Sequence, residues 1–322
     1  MTGADHSCDI SGIKAVVLVP AYNASSTIGE TLVALQKDPE LHRIKTVIIL
    51  DDASNDGTAD VARAAWQSPV PLEVRVNKHN AGQWPTTNSG LAGLPPCVEW
   101  AFILHADDVV KPNWLSLYLN AIIGCPEHVA TICSSYDVWR PDTGDVVPGE
   151  ESPSRPNDLV SGTREAVLGT LNRGCWWHIS GCVIRTRAFH QIGGFKSDMP
   201  YCGDWEWLLR CLAKGFSVLY LPRSTMLYRQ HVSSVASISF SRGWDIEEKL
   251  RILSDYRDQG YVSPTEYRRK VGGVVWHLSR RTLVRAIRRD MKGVGRHGSL
   301  LAVTLAKYLV EHFRAVPRRL DS

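Results

Sequence analysis

Two adjacent carboxylates, Asp107 and Asp108, stand directly after a run of apolar residues. The run from Trp100 to Leu104 has no helical spacing and predicts a short buried strand. Two neighbouring acids repel each other, and burying them is costly unless a cation or hydrogen-bond donors compensate. Hard oxygen ligands suit Mg2+ or Mn2+, which usually sit between carboxylates and the phosphates of a substrate. The pair therefore predicts a divalent-cation site, and a solvated turn or a helix cap before Pro112 is the alternative.

Polar residues also follow two earlier predicted strands. The β-branched run at 15–19 predicts a strand that stops at Pro20, followed by a loop of residues 20–23. A second strand at 46–50 ends in Asp51 and Asp52. In parallel sheets the loops at the carboxyl ends of the strands bind the ligand. Three strand ends therefore bring acidic and polar groups to one edge of the predicted sheet.

Helical spacing separates these strands. Thr27 and Glu30 have the spacing of a capping box and predict the start of the first helix. Further helices are expected around residues 59–66, 88–94 and 113–123. This alternation predicts an α/β fold with a mostly parallel, doubly wound sheet. The sequence has no GxGxxG after the first strand, no GxxxxGK[ST] and no GxSxG, which argues against a dinucleotide fold, a P-loop protein and an α/β-hydrolase.

The second half of the chain contains further candidates. Residues 140–161 are rich in Pro, Gly, Asp and Ser and predict a long loop. The tandem Trp176 and Trp177 would either stack on a sugar or fill a core. Asp204 opens a predicted helix and would be either a cap or a functional acid.

Composition favours a soluble globular protein. Of the 322 residues, 44% are hydrophobic and 22% charged, and the eight cysteines form no CxxC pair. Reduced thiols in a cytoplasmic protein are the simplest expectation. Residues 1–11 do not resemble a signal peptide, and we expect no membrane-spanning helix.

Charge is distributed unevenly. From Arg268 onward there are 14 basic residues against three acidic ones, whereas the rest of the chain carries 23 against 30. A basic tail suggests an anionic partner, a membrane or a nucleic acid. The apolar segment 300–310 is too short to cross a bilayer but suits a helix lying on an anionic membrane surface. The alternative is a helical subdomain that packs on the rest of the protein.

Taken in order, these motifs resemble those of family 2 glycosyltransferases with the GT-A fold. The resemblance runs from about Ala15 to Ser237 and rests on seven motifs in the expected order. They are Val19-Pro20-Ala21-Tyr22-Asn23, residues 51–58 beginning Asp51-Asp52, Asn80-Ala81-Gly82 with Asn88-Ser89-Gly90, Ala106-Asp107-Asp108 with Pro112, Gly193-Gly194-Phe195, Gly203-Asp204-Trp205-Glu206 with Arg210, and Tyr228-Arg229-Gln230-His231.

The resemblance implies roles for the site residues. A nucleotide sugar, commonly UDP-linked, would be bound by Pro20, Ala21, Tyr22, Asn23, Asp51, Asp52, Gly82, Asn88 and Asp107. A divalent metal, Mn2+ or Mg2+, would be held by Asp107 and Asp108, with His105 and His231 as weaker candidates. Asp204 would be the general base of an inverting transfer. Trp176, Trp177, Trp205 and Glu206 would contact the acceptor.

Two departures from the family pattern bear on this reading. His105 stands where the family usually has Asp, and imidazole suits Mn2+ better than Mg2+. Thr87 stands where the family often has Arg, so a diphosphate contact would be lost or supplied by Lys78, Arg229 or His231. A non-catalytic nucleotide-sugar-binding or scaffold protein therefore remains an alternative to a glycosyltransferase, and a nucleotide-hydrolysing enzyme is a weaker third.

The resulting prediction has two parts. Residues 1–240 would form the GT-A domain, with donor binding in about 1–112 and the acceptor side in 113–240, and residues 241–322 a basic helical C-terminal region. The acceptor would be a glycan or a lipid-linked molecule in surface polysaccharide or glycoconjugate synthesis. We expect no nucleic-acid partner, and a cytoplasmic protein in peripheral contact with the inner face of the membrane.

Overall fold

A computed structural model describes residues 14–152, 154–231 and 234–314 of the chain. By its contacts the chain forms two compact units, one of residues 1–198 with 203–231, and the other of residues 199–202 with 232–322. The predicted boundary at residue 240 lies inside a helix of the second unit.

The first unit is built around one mixed sheet. Its strands are β1 Ala15–Ala21, β2 Val47–Asp51, β3 Leu72–Val76, β4 Trp100–Ile103, β5 Val109–Val110, β6 Val129–Arg140, β7 Asp145–Val147, β8 Asp158–Val160, β9 Val183–Arg185 and β10 Ser217–Arg229. They lie in the order β3-β2-β1-β4-β9-β6-β10-β5, with β7 beside β6 and β8 beside β10.

Helices accompany these strands. They are α1 Ile28–Gln36, a 3-10 turn Leu41–Arg43, α2 Thr58–Ala65, α3 Gln83–Ala92, α4 Trp114–Ile122, α5 Arg164–Arg173, α6 Thr186–Ile192 and α7 Gly203–Ala213. The buried residues of α1 recur at helical spacing, Ile28, Leu32 and Leu35, so one face of this helix joins the core.

The predicted parallel sheet is present in its first half. Strands β3, β2, β1 and β4 are all parallel, and every residue of β1 and β4 is buried. The second half is mixed, because β9 runs antiparallel to both β4 and β6, and β5 antiparallel to β10. The alternation of strands and helices that predicted a parallel sheet ends at β4, so only the first half of the sheet is entirely parallel.

Strand β1 continues two residues further than predicted. Pro20 and Ala21 pair with Leu50 and Asp51 of β2. Proline is tolerated because its nitrogen faces β4, which pairs with β1 only as far as Leu18. The loop therefore begins at Tyr22, one residue before a left-handed Asn23 (φ 48°).

The second unit is helical. It contains α8 Val235–Arg242, α9 Trp244–Asp258, α10 Pro264–Ile287 and α11 Met291–Arg314. Its small core is formed by Ile246, Val274 and Leu278, with Leu250, Leu300 and Leu301 packed against them. Among the residues with described structure, no helix is both long and apolar enough to cross a membrane.

The cysteines only partly follow the prediction. Among the described residues six cysteines are free thiols, of which Cys133, Cys182, Cys202 and Cys211 are buried. Cys97 takes part in a disulfide bond, which the expectation of reduced thiols did not include.

Candidate active site

The carboxyl ends of β1, β2 and β4 meet at one edge of the sheet, as predicted. The loops that follow them are joined by backbone hydrogen bonds: Asp52 N donates to Ala21 O at 2.8 Å, and Ala106 N donates to Pro20 O at 3.3 Å. Parallel pairing therefore brings the turn of residues 105–108 beside the loop after β1 and the acids after β2.

Helix α1 holds this turn in place. The hydroxyls of Thr27 and Thr31 both donate to Ala106 O, at 2.9 and 3.0 Å. The predicted capping box is wrong, because Thr27 makes no side-chain cap and Glu30 forms an ion pair with Arg229 instead. Thr27 and Glu30 therefore contact Ala106 and Arg229, which are distant in sequence, and these contacts position the turn of residues 105–108.

Asp108 is fully buried. Its Oδ1 accepts a hydrogen bond from Arg229 N at 2.9 Å, whereas its Oδ2 has no hydrogen-bond partner among the residues that the structure describes. Burial, and then the charge of Asp107, raise the pKa of Asp108 well above its ordinary range. A buried carboxylate oxygen without a donor is costly, and a bound cation would compensate it.

Asp107 has a different environment. Its Oδ2 accepts a hydrogen bond from His231 Nε2 at 3.0 Å. Burial alone would raise the pKa of Asp107, but this hydrogen bond and the charge interactions with His105 and His231 outweigh it and lower the pKa. The two adjacent acids are therefore shifted in opposite directions.

His105 completes a cluster suited to a metal ion. Its backbone N donates to Ser180 Oγ at 3.0 Å, and burial lowers the pKa of its ring more than the charge of Asp107 raises it. One ligand atom from each of His105, Asp107 and Asp108 lies within 4.8 Å of the other two. Two carboxylates, one with an unpaired oxygen, and a neutral imidazole fit a divalent cation such as Mn2+.

Arg229 fixes both acids and is not a free cation. Its Nε donates to Asp107 O at 2.6 Å, its Nη2 pairs with Glu30, and its guanidinium lies 4.2 Å from the centre of the Trp139 ring. With only 8% of its surface exposed, Arg229 positions the acidic turn and is poorly placed to supply the predicted diphosphate contact.

The two acids after β2 also differ in their partners. Asp52 accepts hydrogen bonds from Asn77 Nδ2 and Ala81 N at Oδ1, and from Gly82 N at Oδ2. The carboxylate of Asp51 accepts one described hydrogen bond, from Ser54 N at Oδ1. Asp52 therefore organises the loop after β3, and Asp51 keeps capacity for a ligand.

Several predicted binding residues have structural partners of their own. The amide of Asn88 exchanges two 2.8 Å hydrogen bonds with the backbone of Phe195. Thr87 is buried and donates to Gln83 O at 2.8 Å, whereas Lys78 is exposed. Tyr22 is 52% exposed, so its ring is available to a base.

Asp204 lies in the first turn of α7, where its Oδ1 accepts a hydrogen bond from Trp205 N at 2.7 Å. Burial raises the pKa of Tyr136, and the charges of Cys175, Asp204 and Asp108 raise it further, so the Tyr136 phenol interacts electrostatically with both carboxylates.

The residues predicted to contact the acceptor fall into different places. Trp177 and Trp205 are only 2% and 4% exposed, and Trp177 stacks on Trp207 at 5.3 Å, so both rings fill the core. Glu206 is buried and paired with Lys196 and Arg210. Trp176 is half-buried, with its Nε1 donating to Thr170 Oγ1 at 3.0 Å.

The residues from 16 to 171 match the family model described as glycosyl transferase family 2. These residues form a glycosyltransferase family 2 domain. The family assignment predicted from the seven motifs is thereby confirmed.

Curated relatives of this glycosyltransferase family member are distant. Glycosyltransferase AglE of Haloferax volcanii is 22% identical over 204 residues, covering 63% of each chain. An uncharacterized glycosyltransferase of Nostoc sp., alr2836, is 25% identical over 231 residues, covering 68% of this chain and 65% of its own. The chain thus spans less than two thirds of the length of either relative.

Solved structures identify the fold of this family member as GT-A. TarS 1-349 of S. aureus in complex with UDP-GlcNAc is similar with a TM-score of 0.55 and 17% identity, covering 87% of this chain and 89% of that one. GalNAc-T7 with UDP, GalNAc and Mn2+ is similar with a TM-score of 0.54 and 15% identity, covering 70% of this chain and 45% of that one. The predicted fold class is confirmed.

The residues predicted to form the site did not include one aromatic group, although Tyr228 in it belongs to the last of the seven motifs. Tyr136, His178 and Tyr228 form an aromatic cluster with ring centres 4.7 to 5.6 Å apart, and His178 lies 6.4 Å from His105. Burial lowers the pKa of His178 to about 4, so its ring is neutral near pH 7. In the sequence, Tyr228 lies in a family motif, and for Tyr136 the signal is that Ser134 and Ser135 interrupt the apolar start of β6.

Proposed function

We propose that this chain transfers a sugar from a UDP-linked donor to a hydroxyl group of a glycan or lipid-linked acceptor, with inversion at the anomeric carbon. The unpaired, buried Oδ2 of Asp108 carries this proposal, because it lies in a carboxylate and imidazole cluster at the same edge of the sheet as the loops after β1 and β2. Asp204 supplies a separate carboxylate on α7.

The donor class is supported by two observations. TarS and GalNAc-T7, which share the fold, are described in complexes with UDP-GlcNAc and with UDP, GalNAc and Mn2+, respectively. In this chain the exposed ring of Tyr22 and the carboxylate of Asp51 follow neighbouring strands. We propose that Tyr22 stacks on the base and that Asp51 accepts a hydrogen bond from it.

His105, Asp107 and Asp108 are the residues that would hold the divalent cation. When bound there, the cation would neutralise the charge that develops on the leaving diphosphate. The imidazole of His105 favours Mn2+ over Mg2+, because Mg2+ prefers oxygen ligands. Arg229 and the two threonines of α1 keep the acidic turn in one conformation.

Asp204 would remove the proton from the acceptor hydroxyl as that oxygen attacks the anomeric carbon. Its hydrogen bond from Trp205 N orients the carboxylate at the start of α7. Direct displacement inverts the anomeric configuration and requires no second carboxylate as a nucleophile. A positioned base of this kind contributes roughly a hundredfold to ten-thousandfold to the rate.

Sugar transfer by the wild type and by Asp204→Asn tests this proposal. The wild type is first screened with UDP-sugars and Mn2+ against glycan and lipid-linked acceptors. The variant should still bind UDP, whereas its transfer rate should fall at least about a hundredfold. Asparagine keeps the acceptor of the Trp205 hydrogen bond, so α7 should start unchanged.

Asp60→Asn, in which an exposed carboxylate of α2 is altered, serves as the control and should transfer at the wild-type rate. Unchanged transfer by Asp204→Asn would exclude Asp204 as the base. Binding of UDP without transfer from any donor would instead favour the non-catalytic alternative.

A further inference from the structure

A cavity of about 390 Å3 in the helical unit has a strongly cationic wall. Three arginines of α10, Arg280, Arg281 and Arg285, line it together with Arg288 directly after the helix, and Asp290 is the one acid in its lining. The ring of Phe240, from α8, lies on the other side and is 5.2 Å from the guanidinium of Arg281. Like charges one turn apart destabilise a helix, so this arrangement favours binding of an anion.

Two of these arginines are compensated and two are not. Arg281 pairs with Asp245 at 2.8 Å, and Arg285 pairs with Asp290. Arg280 and Arg288 are exposed and form no ion pair with any residue that the structure describes. The cavity therefore keeps about two positive charges. Burial lowers the pKa of His277, and the nearby Arg281 lowers it further, as expected at an electropositive wall.

An apolar stripe runs along the same helix beside this cavity. Trp276, Leu283 and Ile287 are 73%, 60% and 73% exposed and follow one another at spacings of seven and four residues, which places them on one side of α10. Because an α-helix has 3.6 residues per turn, Arg280 lies between the stripe and the cationic wall. Exposed tryptophan and aliphatic side chains next to arginines are typical of helices that lie in a membrane interface.

We propose that α8 and α10 bind an anionic phospholipid at a bilayer surface, with the headgroup phosphate in the cavity and the stripe in the acyl boundary. A guanidinium presents its N–H groups in a fork that matches phosphate oxygens, and four of them surround this cavity. An anionic membrane would contact both the cationic wall and the apolar stripe. A free anion would contact only the wall, and a neutral membrane only the stripe. This site does not depend on the proposed sugar transfer. It places α10 at the membrane surface in addition to the segment 300–310, for which the sequence predicts membrane contact.

Flotation of the full chain with lipid vesicles tests this site without donor or acceptor. The vesicles contain phosphatidylcholine alone or an equimolar mixture with phosphatidylglycerol. The wild type should float with the mixture and not with phosphatidylcholine. Arg280→Gln/Arg288→Gln should lower the partition coefficient about thirtyfold, because each arginine near an anionic surface contributes roughly a factor of five. Trp276→Ser/Ile287→Ser should also release the protein.

Matched controls alter equally exposed residues in the other unit. Arg63→Gln/Arg187→Gln removes the same charge, and Ile123→Ser removes a side chain that is 64% exposed. Both should float like the wild type. Equal flotation with the two vesicle types, or wild-type flotation of Arg280→Gln/Arg288→Gln, would overturn the proposal. An increase in melting temperature with inorganic phosphate, without flotation, would identify a site for soluble phosphate and overturn the lipid assignment.

Discussion

Asp51 and Asp52 are neighbours in sequence and yet perform different tasks. Asp52 is 3% exposed and accepts hydrogen bonds from two backbone N–H groups and one side-chain amide of the loop after β3. The carboxylate of Asp51, which is 2% exposed, accepts a single described hydrogen bond, from Ser54 N. The sequence motif predicts that both acids bind the nucleotide. Their hydrogen bonds differ, because the carboxylate of Asp52 holds the loop after β3, whereas that of Asp51 has an oxygen that can accept a hydrogen bond from a ligand.

Substitution of each acid by alanine should separate these tasks. Asp52→Ala leaves two backbone N–H groups without an acceptor, and we expect it to lower the free energy of unfolding by about 2 to 4 kcal/mol. Asp51→Ala should cost about 1 kcal/mol of stability but weaken UDP binding. Urea unfolding and UDP titration calorimetry measure the two effects. Equal losses of stability would contradict the distinction.

Asp108 should be unfavourable for stability until a cation binds. In Asp108→Asn the amide oxygen can still accept from Arg229 N, and the repulsion with Asp107 disappears. We therefore expect the melting temperature of the metal-free variant to equal or exceed that of the wild type. Addition of Mn2+ at 100 times its Kd should stabilise the wild type by about 2.7 kcal/mol and leave Asp108→Asn unchanged.

Asp38→Asn is a matched control for this measurement, because Asp38 is also buried and accepts a backbone hydrogen bond, from Leu115 N. It lies outside the metal cluster, so its variant should keep the full Mn2+ shift. A comparable loss of the shift in Asp38→Asn would show that the response reports folding and not a local site.

At the scale of elements, the start of α7 determines where Asp204 lies. Gly203 precedes Asp204 and is packed against α3: a Cβ at this position would lie 2.5 Å from Nε1 of Trp84. The Trp84 ring in turn stacks on Phe195, whose backbone is held by Asn88. Helix α3 therefore positions α7 through contacts that involve no ligand.

Gly203→Ala should therefore impair transfer more than donor binding. The methyl group must displace either Trp84 or the first turn of α7, which costs roughly 1 to 3 kcal/mol of stability. A shift of about 1 Å at the base lowers a rate by up to about a hundredfold. We expect kcat for transfer to fall about tenfold to a hundredfold while the Kd of UDP changes little.

Gly169→Ala is the control, since Gly169 lies within α5 and its added Cβ meets only Arg173 Nη2 at 3.6 Å. This variant should be neutral or slightly more stable, as alanine favours a helix. An unchanged kcat in Gly203→Ala would show that α7 tolerates the methyl group without moving Asp204.

At the scale of the whole molecule, local patterns predicted the strand ends but not their distant partners. Runs of apolar residues predicted β1, β2 and β4, and the order of motifs predicted the family. The pairing of Glu30 with Arg229, the threonine bonds to Ala106 and the mixed half of the sheet depend on contacts far apart in sequence. Single-residue patterns carry no record of such contacts.

Burial of aromatic residues was equally hard to predict. Trp176 and Trp177 are adjacent and chemically identical, yet Trp177 fills the core and Trp176 is half-buried. Neighbouring residues outside regular helices and strands point in directions set by the tertiary fold. Trp177 therefore packs in the core, whereas stacking on a sugar stays a prediction for Trp176.

Binding of UDP and binding of a metal ion to the first unit should be thermodynamically coupled. Because the metal cluster and the nucleotide loops share one sheet edge, the diphosphate and a cation would interact directly, and each should tighten the other about 5- to 150-fold. Calorimetric titration of UDP into protein treated with a chelator, with and without added Mn2+, measures this coupling. Uridine, which has no diphosphate, should show none; equal dependence of uridine and UDP on Mn2+ would contradict it.

The hydrogen bond from Arg229 N to Asp108 joins residues that are 121 positions apart. Strand β5, which continues the acidic turn, pairs only with β10 among the described strands. During synthesis on a ribosome, at about 5 to 20 residues per second, Asp108 would therefore wait roughly 6 to 24 seconds for its donor. The cluster of His105, Asp107 and Asp108 is thus among the last parts of the first unit to form. A nascent chain released before β10 would have the loops after β1 and β2 but not the completed cluster.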